Sequence, residues 1–251
     1  MDGLHLSIVS HRQADLVAAL LRDLAPFAKR AMRITVTSNV PEAPPAVPRE
    51  LAGLVELVQN DGPPRGFGEN HNRAFERVSA PFFCVLNPDL RMPADPFPPL
   101  LEAFDDVRVA LAAPAAVDPS GALQDNARRL PTPLGVLRRF WSPGGAPDYP
   151  AGRNTEVEVV AGFFMLFRSA AFRSLGGFDE RYFLYYEDFD LCCRLRAAGH
   201  AIAWVPQARV VHDARRTSHR NARYLAWHAS SVLRFFSSPA YRAAKRLPPP
   251  R

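Results

Sequence analysis

Long apolar runs and paired cysteines are both lacking in this chain of 251 residues. No run of 18 apolar residues occurs, and the N-terminus lacks the basic-then-apolar pattern of a leader, so we expect neither a membrane span nor secretion. The three cysteines, two of them adjacent, lack metal-type spacing, so we expect a reducing cytoplasm without a disulfide framework. GxGxxG and Walker A loops are also absent, which excludes the two kinds of cofactor binding that these loops indicate. The length and the 47% hydrophobic content suit one α/β domain with appendages.

Positive charge is concentrated at one end of the chain. The formal net charge is +6, but residues 209–251 contain ten Lys/Arg against one acidic residue, which gives +9, and residues 1–208 carry −3. Nucleic acid, an anionic membrane surface or a phosphate-bearing substrate would each attract such a tail. No recognised nucleic-acid-binding motif accompanies the charge, so we expect no nucleic-acid partner.

The tail also has a helical pattern in residues 218–236. Apolar residues fall on one side of this segment, and Arg220, Arg223 and Arg234 occupy much of the rest. The pattern predicts a basic amphipathic C-terminal helix within residues 217–251. Packing onto its own domain and contact with a membrane surface are both open for such a helix.

Strand and helix patterns alternate along the chain. Residues 4–10 read as a strand, and residues 14–24 follow with apolar residues at helical spacing. By contrast, residues 131–150 contain five prolines and three glycines, which predicts irregular structure. Further apolar strands are expected at 33–37, 54–58, 82–86, 109–113, 157–167, 201–205 and 209–211. The alternation predicts an α/β fold with a parallel sheet.

Two polar segments stand where open α/β sheets bind ligands. The turn GFGENHNRAF (66–75) runs into a helix, and its backbone N–H groups suit a phosphate or a base edge, although Asn70 and Asn72 also read as helix caps. Asn87-Pro88-Asp89 follows the apolar strand 82–86. A ligand-binding role is favoured there over a simple proline turn, because ligands bind at the carboxyl ends of such strands.

The stretch Gly176–Gly199 joins an aromatic run to acidic residues and a short helical pattern. The apolar residues of this pattern share a helix face with Asp188, which is therefore expected at the helix N-terminus on the side of the core. The helix dipole favours the ionised carboxylate there, as a general base requires. Acidic residues also occur at helix N-termini for stability alone. The aromatic run in front of them suits a wall for a ring-shaped ligand; it consists of Tyr182, Phe183, Tyr185 and Tyr186.

Together these segments resemble the inverting glycosyltransferases of family 2, which have the GT-A fold, and in particular their bacterial rhamnosyltransferase-like branch. The resemblance covers residues 6–218. Its most specific part is GGFDERYFLYYEDFDLCCRLRAAG followed by WVPQARVVH, and GFGENHNRAF, VLNPDL and GALQDNARRLPTP stand in the family's order. The fold that it implies is a Rossmann-like, mainly parallel mixed sheet flanked by helices.

The resemblance also implies a division of the chain and a set of site residues. Residues 1–216 would form a single GT-A domain, with a nucleotide-sugar-binding half (1–115) and an acceptor-binding half (116–216). Asp188 would be the catalytic base and Glu187 its acidic neighbour. The donor-binding residues would be Val9, Ser10, His11, Ser38, Asn39, Gly66, Phe67, Asn70, Asn87 and Asp89. Arg128, Gly162 and Tyr186 would lie towards the sugar or the acceptor.

A divalent cation follows from the same resemblance. Asp89 matches the family's metal motif, and His212 matches a histidine that can complete the metal site. The cation would bridge the donor's diphosphate; oxygen ligands suit Mg²⁺, and a histidine ligand favours Mn²⁺. Asn87 replaces the first acidic residue of that motif, which weakens the expectation of metal dependence. Residues 37–39 stand where many relatives carry an Asp that contacts the nucleobase of the donor, so the nucleotide preference stays open.

The implied reaction is transfer of a sugar, with L-rhamnose as one candidate, from a nucleotide-diphosphate donor to a growing bacterial surface glycan. Direct displacement would use Asp188 as the base. A lipid-linked acceptor is one form that is considered, and the basic tail would then hold the protein peripherally at the inner face of the plasma membrane. The alternative is a non-catalytic module on the same fold that binds a nucleotide sugar or a polyanion.

Overall fold

Strands and helices alternate in the computed structural model, which describes residues 3–141, 147–150, 152–213 and 222–250. The strands are β1 (Leu4–Ser10), β2 (Met32–Ser38), β3 (Val55–Gln59), β4 (Phe82–Leu86), β5 (Leu90–Arg91), β6 (Val109–Val117), β7 (Ala127–Arg128), β8 (Thr155–Glu156), β9 (Val159–Val160), β10 (Phe164–Arg168) and β11 (Ala201–His212). The α-helices are α1 (Ala14–Leu24), α2 (Phe67–Phe75), α3 (Phe97–Glu102), α4 (Pro133–Trp141), α5 (Ser169–Ser174), α6 (Glu187–Ala197), α7 (Ala222–Ser237) and α8 (Pro239–Ala244).

Nine of these strands form one sheet, in the order β3-β2-β1-β4-β10-β6-β11-β5 with β8 paired to β11. Neighbouring strands among β1 to β4 run parallel, as do β6 and β11, whereas β10 runs antiparallel between β4 and β6. β7 and β9 form a separate two-stranded sheet. The mainly parallel mixed sheet predicted from the sequence is confirmed. Because β1 to β4 are parallel, the polar segments that follow them open at one edge.

The central strands are buried on both faces because helices cover both sides of the sheet. In β4, Cys84 and Leu86 belong to an apolar cluster that includes residues of α1 and α3. Phe83 and Val85 point the other way, into a cluster that includes residues of α5 and α6. All three cysteines are buried and unpaired.

Two strand predictions are wrong in detail. Residues 157–167 do not form one strand, because the chain leaves β9 at Val160 and enters β10 at Phe164. Gly162 in this break donates its backbone N–H to the Asp188 carboxylate, at 2.8 Å. The two strands predicted over 201–205 and 209–211 are one strand, β11, and its pairing with β6 shifts register in between.

The proline-rich segment 131–150 contains a helix, α4, where irregular structure is predicted. Thr132 caps its start, because its Oγ1 accepts the N–H of Gly135 at 3.0 Å. Pro133 takes the first helical position, where its missing N–H would have no helical partner in any case. Prolines therefore begin this helix instead of preventing it. Residues 142–146 and 151 lie outside the described residues.

The basic tail forms α7 and α8, and α8 packs on α6. The predicted tail helix is confirmed from Ala222 onward, and the part of the prediction in residues 218–221 lies outside the described residues. The side of α7 that packs differs from the apolar side read from the sequence: Ser231 and Phe235 are buried, whereas Leu233 is 73% exposed. Across the described ranges, no helix combines the length and the apolar character that crossing a bilayer requires.

Candidate active site

The segment in front of α6 has an unusual backbone. Tyr185 and Tyr186 have φ angles of 72° and 67°, in the left-handed region that residues other than glycine seldom adopt. Each such residue costs about 1–3 kcal/mol and persists only where its surroundings hold it. Tyr186 is the N-cap of α6, which places Asp188 in the first helical turn as predicted. Gly199, with a φ of 86°, follows the end of the helix.

Asp188 is held by two backbone donors. Its Oδ2 accepts the N–H of Gly162, and its Oδ1 accepts the N–H of Phe189, both at 2.8 Å. Burial raises the pKa of Asp188 above its usual value, while the two N–H donors and the charge of Arg128 oppose that shift. The result is an oriented carboxylate that is a stronger base than an ordinary aspartate.

Glu187, the neighbouring acid, is in a different environment. Its side chain is buried, and its Oε2 has no hydrogen-bond partner among the described residues. Burial, and then the charge of Asp188, raise the pKa of Glu187 well above its usual value. Two adjacent carboxyls in a dry environment do not both ionise readily, so Glu187 retains its proton more readily than Asp188. Asp188 is also the more accessible of the two, which makes it the stronger candidate for the base.

Three further predicted residues lie beside Asp188. A Cβ on Gly162 would come within 3.1 Å of the Asp188 Cβ, so this position needs glycine for the close approach. Arg128, in β7, donates to the carbonyl of Asp125 at 2.8 Å, and its charge lowers the pKa of Asp188. Burial and the charge of Asp188 raise the pKa of Tyr186 to about 12. The structure therefore brings the residues predicted to contact the sugar or the acceptor together around Asp188.

A carboxylate and a histidine meet at the end of the sheet. β5 and β11 pair so that His212 lies opposite Leu90, which puts Asp89 beside His212. The His212 Nε2 is 3.6 Å from the Asp89 Oδ2, too far for a direct hydrogen bond. The Asp89 Oδ1 is buried without a hydrogen-bond partner among the described residues. Asn87 is nearby in sequence but has its backbone N–H bonded to the Phe163 carbonyl, at 2.8 Å.

Gln124 fixes the orientation of this histidine, and the sequence analysis did not identify it. Its amide donates to the backbone carbonyl of His212 at 2.7 Å, which identifies the other amide atom as the oxygen. That oxygen lies 2.9 Å from the His212 Nδ1, so the neutral ring donates from Nδ1 and presents Nε2 towards Asp89. The ring also stacks on Phe163, with centroids 4.2 Å apart. These contacts are typical of the support behind a metal-ligating histidine.

The Asp89–His212 pair fits a divalent cation with two protein ligands. The orphaned carboxylate oxygen and the oriented Nε2 are a suitable donor set for Mg²⁺ or Mn²⁺. No cluster of three or more His, Cys, Asp or Glu side chains arranged for a metal occurs in the part of the chain that the structure describes. The remaining ligands would have to come from a substrate and from water.

The predicted donor pocket lies where β1, β2 and β3 end. Ser10 and Ser38 are opposite each other in the parallel pair, and the N–H of Asn39 donates to the Ser10 carbonyl at 2.8 Å. Asn39 also exchanges two hydrogen bonds of 2.9 Å with the backbone of Arg65. Val9 is half-buried at this edge, and His11 is exposed beyond it.

Asn60 and Arg65 complete this pocket, and the sequence analysis did not identify either residue. The Asn60 amide donates to Asn39 at 3.0 Å and to Asn70 at 2.6 Å, and its oxygen accepts from the Arg65 guanidinium. The ends of β2 and β3 and the start of α2 are thus tied by one buried polar network. The signal was available in the sequence, because Asn60 lies two residues after the third predicted strand, 54–58.

The turn before α2 contacts the aromatic run directly. The N–H of Phe67 donates to the Phe183 carbonyl at 2.8 Å, so this donor is not free for a phosphate. A Cβ on Gly66 would lie 2.9 Å from the same carbonyl oxygen, which explains the glycine. Asn72 is not a helix cap: its side chain bonds both the N–H and the carbonyl of Phe178, each at 2.9 Å.

α7 packs against the opposite side of the aromatic run. Trp227 stacks on Phe183 with centroids 4.4 Å apart, and the Ser231 hydroxyl donates to the carbonyl of Leu184 at 2.8 Å. The ring of Phe235 lies 5.2 Å from that of Tyr186. The tail therefore supports the strained segment that precedes Asp188, a long-range contact that no local pattern predicts.

The fold and these residues define a Rossmann-like α/β protein with a carboxylate oriented by two backbone N–H groups, a carboxylate–histidine pair and a polar network at one edge of its sheet. The sequence profile described as "Glycosyltransferase like family 2" matches residues 47–230. The chain belongs to this family, as the residues predict.

Curated relatives include two rhamnosyltransferases. N-acetylglucosaminyl-diphospho-decaprenol L-rhamnosyltransferase of Mycobacterium tuberculosis (strain CDC 1551 / Oshkosh) is 34% identical over 184 residues, which cover 68% of this chain and 59% of the relative. This chain thus matches less than two thirds of that relative's length. Rhamnosyltransferase WbbL of Escherichia coli (strain K12) is 28% identical over 249 residues, which cover 93% of this chain and 92% of the relative.

Solved structures show the fold. S. aureus TarS 1-349 has a TM-score of 0.62 at 10% identity, covering 94% of this chain and 66% of that chain. The mannosyltransferase PcManGT from Pyrobaculum calidifontis, in complex with GDP-Man and Mn²⁺, has a TM-score of 0.59 at 16% identity, covering 96% and 68%. At these identities the likeness concerns the fold alone, and it confirms the predicted GT-A fold.

Proposed function

We propose that this protein is an inverting glycosyltransferase that moves a sugar from a nucleotide-diphosphate donor to a glycan acceptor, with L-rhamnose as the leading candidate sugar. The observation that carries the proposal is the environment of Asp188, whose two backbone donors orient the carboxylate and whose burial raises its pKa. Direct displacement at an anomeric carbon requires one base to take the proton of the acceptor hydroxyl. Asp188 is suited to that task, and burial, which raises the pKa of Glu187 well above its usual value, favours Asp188 as the ionised member of the pair.

The donor would lie across the edge of β1 to β4. Its nucleoside would lie among Ser10, Ser38 and Asn39, in the pocket that the Asn60 network holds in place. Its diphosphate would reach Asp89 and His212, which would hold Mg²⁺ or Mn²⁺ there. When bound, the cation would neutralise charge on the departing diphosphate. Arg128 and Gly162 would then border the transferred sugar, next to the base.

The acceptor is proposed to be a lipid-linked glycan intermediate of bacterial surface polysaccharide synthesis. A relative at 34% identity is named for a diphospho-decaprenol acceptor. The tail of this chain carries the charge that an anionic membrane surface attracts. We therefore propose peripheral binding at the cytoplasmic face of the membrane, which co-sedimentation with anionic and neutral liposomes tests. Equal binding to both kinds of liposome would refute the electrostatic part.

The deciding experiment for the function is a screen of nucleotide sugars. Purified protein is incubated with UDP-, dTDP- and GDP-sugars, with and without Mn²⁺, and release of the nucleoside diphosphate is measured. We expect turnover of one donor, greater with metal, and a loss of the metal dependence in Asp89→Ala. Binding of a donor without turnover, also in the presence of lipid-linked acceptors, would favour the alternative of a non-catalytic binding module. Metal-independent turnover would refute the proposed cation site, but it would still support the proposed glycosyltransferase activity.

A further inference from the structure

An open apolar groove runs between α4 and α7. Its volume is about 780 Å³, within the range of roughly 300–1,000 Å³ that is usual for ligand sites. Its walls include Pro133, Val136, Leu137, Ala229, Val232 and Leu233. Leu137 and Leu233 are 55% and 73% exposed, whereas aliphatic side chains of this size are usually buried. Contiguous apolar exposure of this kind marks a binding surface.

The groove is continuous with the candidate active site. His228 and Phe236 line it, and the ring of His228 lies 5.6 Å from that of Tyr186. Tyr186 immediately precedes the two acids of the site, and it also contacts Phe236, at 6.5 Å. One end of the groove therefore shares a wall with the aromatic run that carries Asp188.

The two helices that wall the groove carry no negative charge. Neither α4 nor α7 contains an acidic residue, and Arg138 follows Leu137 in α4. The guanidinium groups of Arg223 and Arg234, also in α7, lie over the rings of Trp227 and Tyr182 and do not line the groove. Arg128 precedes α4 by five residues and lies close enough to Asp188 to affect it electrostatically. An occupant that suits this arrangement has a long apolar part and an anionic end. The groove is open and walled by two helices, so a single hydrocarbon chain could lie along it.

We propose that the α4–α7 groove binds the hydrocarbon chain of a polyprenyl-diphosphate acceptor, with the diphosphate end towards Tyr186 and Arg128. The proposal rests on the lipid-linked acceptor proposed above and names the place where its lipid binds. It assigns α7 two tasks, since one face braces the aromatic run and the other holds the acceptor lipid. The sugar acceptor would then reach Asp188 with its lipid already bound beside the base.

The test measures binding directly and needs no donor. Decaprenyl diphosphate in non-ionic detergent, geranyl diphosphate and inorganic diphosphate are titrated against the full chain by calorimetry. The test variant is Leu137→Gln/Leu233→Gln, and the matched control is Leu225→Gln, a leucine of α7 that is 49% exposed but does not line the groove. These side chains are substantially exposed, so the variants are expected to fold, which circular dichroism checks.

We expect the double variant to bind decaprenyl diphosphate about tenfold or more weakly, the scale on which apolar pockets discriminate small changes in apolar contact. Leu225→Gln should bind like the unsubstituted chain, and inorganic diphosphate should bind all three proteins equally. Equal affinity of the unsubstituted chain for decaprenyl and inorganic diphosphate would overturn the proposal.

Two other occupants would be recognised by their own results. If the double variant alone loses binding to anionic liposomes while decaprenyl diphosphate binds all three proteins equally, the groove is a bilayer contact and the proposal fails. If the double variant converts a dimer to a monomer in sedimentation without changing lipid affinity, a second copy of the chain occupies the groove, and the proposal fails again. Chain-length-dependent binding without transfer of any sugar would refute the proposed function and leave the groove assignment intact.

Discussion

Replacing Asp188 by Asn tests the assignment of the base most directly. The change keeps the size of the side chain and removes its ability to take a proton. General base catalysis contributes about 10²–10⁴ in rate, so kcat for transfer should fall by a factor in that range. The donor affinity should stay nearly unchanged, because Asp188 lies beside Gly162 and Arg128 and not in the pocket formed by the ends of β1 to β3.

The structure also sets the effect on stability. The carboxylate accepts two backbone N–H groups, whereas a carboxamide has one oxygen and can satisfy only one of them. A buried donor left without a partner costs about 1–3 kcal/mol. Removing a carboxylate whose pKa is raised by burial offsets part of that cost at neutral pH. We therefore expect a small decrease in Tm, measured by calorimetry, beside the large decrease in kcat.

The matched control is Asp190→Asn on the same helix. Asp190 is buried and accepts a hydrogen bond of 2.7 Å from Arg194, so its loss affects stability without touching the cleft. Transfer is assayed for both variants with radiolabelled donor, and donor binding is measured by calorimetry. Equal losses of kcat in the two variants, or a parallel loss of donor binding in Asp188→Asn, would mean that Asp188 is structural.

The pH dependence gives the same residue a second test. Because burial raises the pKa of Asp188, kcat/KM should fall with decreasing pH at values above the ordinary aspartate pKa of about 3.9. Its effect on stability has the opposite sign: the folded chain holds the proton more tightly, so this stabilisation is present below about pH 3.9 and is lost as pH rises through the raised pKa. A decrease of kcat/KM that begins only at or below pH 3.9 would contradict the effect of burial on the pKa of Asp188.

Two further substitutions address the neighbours of the base. Glu187→Gln imitates a protonated glutamate, so kcat should change only a few-fold. Because the pKa of Glu187 is raised in the folded chain, the decrease of Tm with rising pH should also become smaller in this variant. A loss of kcat as large as that of Asp188→Asn would show that Glu187 acts in its ionised form. Gly162→Ala places a Cβ 3.2 Å from the Asp188 Oδ2 and should lower kcat by up to about 10²-fold through misplacement of the carboxylate, with donor binding intact. Gly152→Ala, which has open space for a Cβ, is the control, and equal kinetics in the two alanine variants would show that the site tolerates the shift.

The elements that were predicted most accurately are those whose apolar residues have a clear local periodicity. β1, α1 and β4 were predicted at their observed bounds, since their apolar residues follow the period of their element and are buried on the expected side. The placement of Asp188 in the first turn of α6 followed from the same reasoning. The grouping of Arg128, Gly162 and Tyr186 with Asp188 came from the family resemblance. The division of the chain at residue 216 stays a prediction.

The unpredicted parts depend on contacts between distant segments. Gly162 lies in the break of the apolar run 157–167, where its N–H donates to Asp188 in the distant helix α6. Gln124 gains its role only when β11 brings His212 beside it. Proline content led to irregular structure being predicted for α4, although Thr132 and Pro133 are favourable at a helix start. The proline content of residues 131–150 thus led to a wrong prediction, although the two residues at the start of α4 favour a helix.

The packing of α7 changes how the basic tail has to be studied. Deleting residues 219–251 would remove the charge that is proposed to bind a membrane, but it would also remove Trp227 and Phe235 from the aromatic run. The left-handed residues Tyr185 and Tyr186 depend on that support, because strained backbone persists only where packing holds it. A truncated protein would therefore lose activity whether or not the tail binds a membrane. Substitutions on the open side of α7, such as Leu233→Gln, separate lipid binding from the support of Asp188.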